Sequence, residues 1–169
     1  MQSARLHYLR IGLIAAIAAL VADQVAKVWL LAFVDIAAHG AIRVTPFFDL
    51  VLTWNKGISY GWFQTDSLSG EAVLLAVKLV AIAGLAIWLA RAQSVIAAIG
   101  LGLIIGGAIG NGVDRFAYGA VMDFALFHVD LAGKERDWYV FNLADVAIVA
   151  GVVGLLYDSL LGTPAAKAP

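Results

Sequence analysis

The stretch VIAAIGLGLIIGGAIGNGV, from Val95 to Val113, runs without a single charged side chain. A helix needs roughly 20 apolar residues to cross the hydrocarbon core of a bilayer, so this run reads as a membrane span. Three more stretches have the same character: about Ile11 to Phe33, Ala72 to Ala90 and Phe141 to Leu161. Backbone amides in lipid must find partners inside their own segment, so each stretch predicts an α-helix. The first also resembles a cleavable signal peptide, with Arg5 and Arg10 ahead of an apolar run. That run continues well past Asp23, however, and no small-x-small site follows it closely. Composition points the same way. Of 169 residues, 63% are hydrophobic and 14% charged, where a soluble domain carries about a quarter charged. The excess apolar surface must face lipid. A net charge of −1 leaves no footprint for nucleic acid. The absence of cysteine removes disulfides, thiolate metal sites and a cysteine nucleophile. The expectation is an all-α membrane protein, one domain over residues 1–169, built as a bundle of four transmembrane helices.

Arg5 and Arg10 put the N-terminus in the cytoplasm by the positive-inside rule, and Arg91 and Lys167 agree. Arg43, Lys56, Arg115, Lys134 and Arg136 fall in segments this topology places outside. Four spans return the C-terminus to the cytoplasm and leave residues 34–71 and 114–140 outside. Both segments hold strand-like runs, Phe47 to Trp54 and Asp137 to Val140, with Gly57 and Gly133 where turns are needed. They predict a small extracytoplasmic β-sheet resting on the bundle.

The polar residues then collect on one side of the bilayer. Asp23 lies in the outer half of the first span and Asn111, Asp114 and Arg115 at the outer end of the third. Asn142 and Asp145 open the fourth, and Asn55 and Asp123 stand in the two outer segments. A carboxylate at the centre of a membrane helix costs about 2.5–3.5 kcal/mol on insertion scales, so such groups face the bundle interior and mark function. Asn142 and Asp145, three apart, share a helix face. Gly106, Gly107 and Gly110 allow a neighbouring helix to come close. A short hinge, Ala117 to Ala120, can swing Asp123 back over the mouth of the bundle to meet Asp145. Two carboxylates brought close share one proton. The ionised member can take a proton from water while the protonated one polarises a scissile carbonyl.

Three blocks, Gly106 to Arg115, Val121-Met122-Asp123-Phe124 and Phe141-Asn142-Leu143-Ala144-Asp145, resemble the signature blocks of lipoprotein signal peptidase, or signal peptidase II. Asp23 to Lys27 and Asn55-Lys56-Gly57 resemble two further blocks in the same order. The block after Asn55 departs from the pattern, reading Ile58-Ser59-Tyr60 where small residues and Phe are commoner. The resemblance covers most of the chain. It implies an aspartic endopeptidase of the bacterial inner membrane, working without cofactor or metal. Such an enzyme cuts a prolipoprotein just before its diacylglyceryl-modified cysteine, with membrane lipids around it and no obligate protein partner. It further implies Asp123 and Asp145 as catalytic groups. Asp23, Asn55, Asn111, Arg115 and Asn142 would line and support the site.

Plainer roles compete. Asp114 and Arg115 can form an ion pair holding a helix end, Asp23 and Lys27 a mutually neutralising pair, and Asn142 an N-cap. Lys78 reads as a snorkelling or interhelical residue and Asp158 as solvated. His7, His39 and His128 have no ligand spacing. Asp114, Asp123 and Asp145 could instead hold a cation in a binding or transport protein. A Ser-Lys protease using Ser59 with Lys56 or Lys27 leaves the carboxylates unexplained.

Overall fold

A computed structural model describes residues 2–56, 68–131 and 134–161. The expected turns at Gly57 and Gly133, the Ile58-Ser59-Tyr60 block, and Lys167 lie outside the described residues, as does the side chain of Lys78. Among the described residues five helices and four strands follow one another: α1 (Gln2–Ala32), α2 (Ile36–His39), β1 (Ile42–Thr45), β2 (Phe48–Asn55), α3 (Leu68–Leu89), α4 (Val95–Tyr118), β3 (Val121–Leu131), β4 (Lys134–Phe141) and α5 (Leu143–Leu161).

Three described helices are long and apolar enough to cross a membrane: Ser3–Ala32, Val95–Tyr118 and Leu143–Leu161. That accounts for three of the expected four. The remaining span falls on α3, whose described apolar part, Leu79–Leu89, is shorter than a crossing needs. The protein is thus a membrane protein with three clear apolar helices and a small antiparallel sheet. Boundaries shift as well. The third expected span, now α4, runs on past Val113 to Tyr118, and the last starts at Leu143 because Phe141 still belongs to β4.

Helix α4 is the centre of the bundle, with α1 and α5 against it. Small residues set the distances. A Cβ on Gly106 would run into the Ala16 carbonyl oxygen of α1, and one on Gly107 into that of Ala144 on α5. The backbones therefore touch where a larger side chain would hold them apart. At the start of α4 the Ser94 hydroxyl caps the Ala97 N–H and donates to Asp158 Oδ1 at 2.7 Å. Asp158 thus ties α5 to α4 instead of standing in solvent. At the other end Gly119, with φ 72°, ends α4 in the left-handed conformation that glycine adopts without strain, and β3 begins two residues later.

The strands form one antiparallel sheet in the order β1-β2-β3-β4. The sheet packs Met122, Phe124 and Ala125 of β3 into a cluster with Leu30 and Ile36, so it sits on the end of the bundle where α1 and α4 finish and α5 starts. Pairing between β2 and β3 changes register between Leu50↔Ala125 and Thr53↔Asp123, which inserts one extra residue into β2. Because side chains alternate faces, this bulge moves Asn55 onto the face that carries Asp123. A second shift puts an extra residue into β4 between the pairs Leu126↔Val140 and His128↔Asp137. Away from the bundle, Asp49 joins three strands, its Oδ1 3.2 Å from both Arg43 Nε and His128 Nε2. Partial burial of Asp49 works against its charge, but these two partners outweigh it and hold the carboxyl below its usual range.

Candidate active site

Asn142 is the hinge of the site. As the residue before α5 it is an N-cap, its Oδ1 accepting the Asp145 N–H at 2.9 Å. Asp145 answers, its Oδ2 accepting the Asn142 N–H at 3.2 Å. This reciprocal pair follows the capping-box pattern and fixes the Asp145 rotamer. The side-chain amide of Asn142 points the other way, donating to Asp123 Oδ1 at 2.6 Å, Asn111 Oδ1 at 3.1 Å and the Met122 carbonyl at 3.3 Å. One buried residue therefore reaches both carboxylates, Asp123 through its side-chain amide and Asp145 through its backbone N–H.

Each carboxylate also has an amide of its own. Asn55 Nδ2 donates to Asp123 Oδ2 at 3.1 Å and to the Tyr139 hydroxyl at 3.2 Å. Asn111 Nδ2 donates to Asp145 Oδ1 at 2.8 Å. Arg115, one turn further along α4, donates from Nη1 to the Asn111 carbonyl at 3.2 Å. A cleft of about 470 Å³ opens on Asp123 and is lined also by Trp54, Lys56, Trp138 and Tyr139. Asp123 is only 2% exposed. Its burial raises the carboxyl above the usual carboxylate range, and the charge of Asp145 pushes the same way. The Asn55 and Asn142 hydrogen bonds and the Lys27 ammonium oppose that rise without cancelling it.

Beneath the pair lies a second polar cluster. Lys27 Nζ is 2.7 Å from Asp23 Oδ2 and 2.6 Å from Asp114 Oδ2. The Asp23–Lys27 pair is as the sequence suggests, but Asp114 does not pair with Arg115. Its carboxylate turns toward α1, where Gln24 Nε2 reaches Oδ1 at 3.0 Å. With Asp114 committed there, the three acids Asp114, Asp123 and Asp145 do not make one oxygen cage. Among the described residues no group of three His, Cys, Asp or Glu gathers as a metal site.

All seven residues singled out in the sequence stand at the same end of the bundle. Asp123, Asp145, Asn55, Asn111 and Asn142 form one hydrogen-bonded set. Arg115 reaches that set through a backbone oxygen, and Asp23 lies a layer below. Sequence reasoning missed Tyr139 and gave Lys27 too small a part. Tyr139 carries no signal, because its place depends on the β4 bulge. Lys27 carries one: an amine in an apolar span must be paired and hydrogen-bonded.

The family described as Signal peptidase (SPase) II has a model that matches residues 15–161. The lipoprotein signal peptidase of Nitrobacter hamburgensis is 71% identical, over 95% of this chain and 98% of its own length. That of Rhodopseudomonas palustris is 62% identical, again over 95% and 98%. A solved bacterial membrane enzyme shares the fold with a TM-score of 0.72 at 24% identity, covering 90% of this chain and 94% of its own.

Proposed function

The chain belongs to the signal peptidase II family, and on that premise we propose that Asp123 and Asp145 are the aspartic dyad with which it cleaves prolipoproteins. It is a peptidase of the bacterial inner membrane that removes signal peptides. The observation that carries the dyad is Asn142, which bonds both carboxylates at once. Asp123, whose ionisation burial disfavours, keeps the proton the two share and donates it toward the scissile carbonyl oxygen. Asp145, with donors on both oxygens, takes a proton from the attacking water. That proton passes to the amine as the tetrahedral intermediate collapses and the C–N bond breaks. Asn55 and Asn111 hold the two carboxyls, Arg115 and Asn142 brace the backbone around them, and Asp23 supports α5 from below. No cofactor takes part.

Helix α3 is the fourth crossing in this reading, supported by its 22-residue length and by the apolar run from Ala72 to Ala90. Both termini are then cytoplasmic, residues 1–169 make one membrane domain, and the sheet with the dyad lies at the outer boundary. A signal helix ends at that depth, and the acyl chains of a modified cysteine can lie in the leaflet beside it. The chain has no cysteine, so single cysteines report topology directly. Ala38→Cys and Asp137→Cys should react with an impermeant thiol reagent in intact cells, and Gln93→Cys only after lysis. The reverse pattern would turn the site inward and remove the proposed substrate from reach.

The functional test is cleavage of a lipid-modified precursor by purified enzyme in detergent. Replacing the substrate's cysteine by serine should slow cleavage by about 100-fold, the loss of a buried lipid-binding contact. Excess chelator should change nothing. Equal cleavage of both precursors would reduce the specificity claim to general intramembrane proteolysis, and chelator sensitivity would revive the cation reading.

A further inference from the structure

The buried cluster around Lys27 uses its carboxylates in a way that neutralisation alone does not require. Asp114 Oδ2 accepts the backbone N–H of Met122 at 3.0 Å, and Asp23 Oδ1 accepts that of Ala144 at 3.0 Å. Met122 and Ala144 are the residues immediately before Asp123 and Asp145. The Ala144 N–H is among the first four of α5, which have no partner inside the helix. The Met122 N–H belongs to the first turn of chain after the Gly119 reversal, where β3 has just begun. The same ammonium holds both pegs, and Gln24 Nε2 braces them, 3.1 Å from Asp23 Oδ2 and 3.0 Å from Asp114 Oδ1. None of Lys27, Asp23 and Asp114 is more than 3% exposed. Buried ion clusters rarely add net stability over apolar residues of the same volume, so a geometric role accounts for this one better.

We infer that Lys27 is a positioning residue: through Asp23 and Asp114 it holds the backbone before each catalytic aspartate and so sets the spacing of the pair. The inference rests on the assignment of Asp123 and Asp145 as the dyad. A misplacement of about 1 Å in a reacting constellation costs on the order of 100-fold in rate. Lys27 also acts on Asp123 through its charge, so its loss has a second signature in the pH profile.

The test uses Lys27→Met and the double variant Lys27→Met with Asp114→Asn, which removes one charge of each sign and leaves the net charge of the cluster unchanged. The amide oxygen that Asp114→Asn leaves in place can still accept from Met122 but has no ammonium to orient it. Single-turnover cleavage, normalised to folded enzyme, should fall about 100-fold in both, with KM within about threefold. In the single variant the alkaline limb of the pH–rate profile, where Asp123 gives up its proton, should move to higher pH, because a cation near Asp123 has gone. Amide exchange at Met122 and Ala144 should quicken in both variants while that of Leu101, mid-helix in α4, stays as it was. A double variant that folds and cleaves at the wild-type rate overturns the inference, as does an unchanged rate in folded Lys27→Met. Should neither variant fold, wild-type exchange decides: Met122 and Ala144 as slow as Leu101 upholds the pegs, and rapid exchange at either removes them. Failure of the dyad itself is seen separately, as activity surviving in Asp123→Asn.

Discussion

Asp123→Asn and Asp145→Asn should each lower single-turnover cleavage by about three to four orders of magnitude, and the double variant should be no slower than either alone. The size follows from what an amide lacks. It neither carries the charge that draws a proton from water nor gives and takes the proton at the carbonyl and the amine, and a misassigned base costs about that much. Non-additivity follows because the two groups complete one proton transfer, so removing the second member takes away nothing that still works. Folding should survive both changes, since Asn is nearly isosteric with Asp. For Asp123 the sign is informative. Its carboxyl titrates above the usual range, so the charged form weighs against the folded state, and that burden grows as pH rises through the raised value. Asp123→Asn removes the burden and should leave thermal stability at neutral pH equal to wild type or higher. Asp158→Asn, at the far end of the bundle on Ser94, is the control and keeps full activity. Substantial cleavage by folded Asp123→Asn would move the catalytic assignment elsewhere.

The helices are legible in the sequence because lipid imposes a rule that needs no tertiary knowledge. An uncharged run such as Val95 to Val113 has few other fates, and polar residues at one end of several spans must converge there. Asn142 is legible twice over, as a cap and as a neighbour of Asp145, because both relations are local. The relation of Asn55 to Asp123 is not local. It depends on one inserted residue in β2 that exchanges the two faces of the strand, and nothing in Phe48 to Asn55 announces where that residue goes. The partner of Asp114 is hidden for a related reason. Its neighbour Arg115 is adjacent in sequence but points along α4, whereas Lys27 is remote in the chain and lies across the glycine-lined contact with α1. Sequence spacing ranks partners by distance along the chain. Backbone contact at Gly106 reorders them.

Asn142 permits the sharpest separation of structure from chemistry, because its two roles use different atoms. Its Oδ1 caps α5, and its Nδ2 joins Asp123 to Asn111. Asn142→Asp keeps an oxygen at the cap, where Asp serves as well as Asn. An ionised carboxylate has no N–H, however, so the donor to Asp123 Oδ1 and Asn111 Oδ1 is lost. A third acid also joins two others, and the pair no longer shares its single proton on its own terms. Cleavage should fall by about three orders of magnitude, with unfolding temperature changed little. Asn142→Ala loses cap and donor together. It should show a comparable rate loss and, in addition, about 1 kcal/mol of stability for the cap. Asn142→Leu should be worse still for folding, since it leaves the Asp145 N–H uncapped and takes the Nδ2 donor from Asp123 and Asn111 in a buried site. The measurement is turnover per folded molecule beside thermal unfolding for all three. If Asn142→Asp kept near-wild-type turnover, the 2.6 Å contact with Asp123 would be incidental to catalysis, and the two aspartates would have to be held in register by the Lys27 cluster alone.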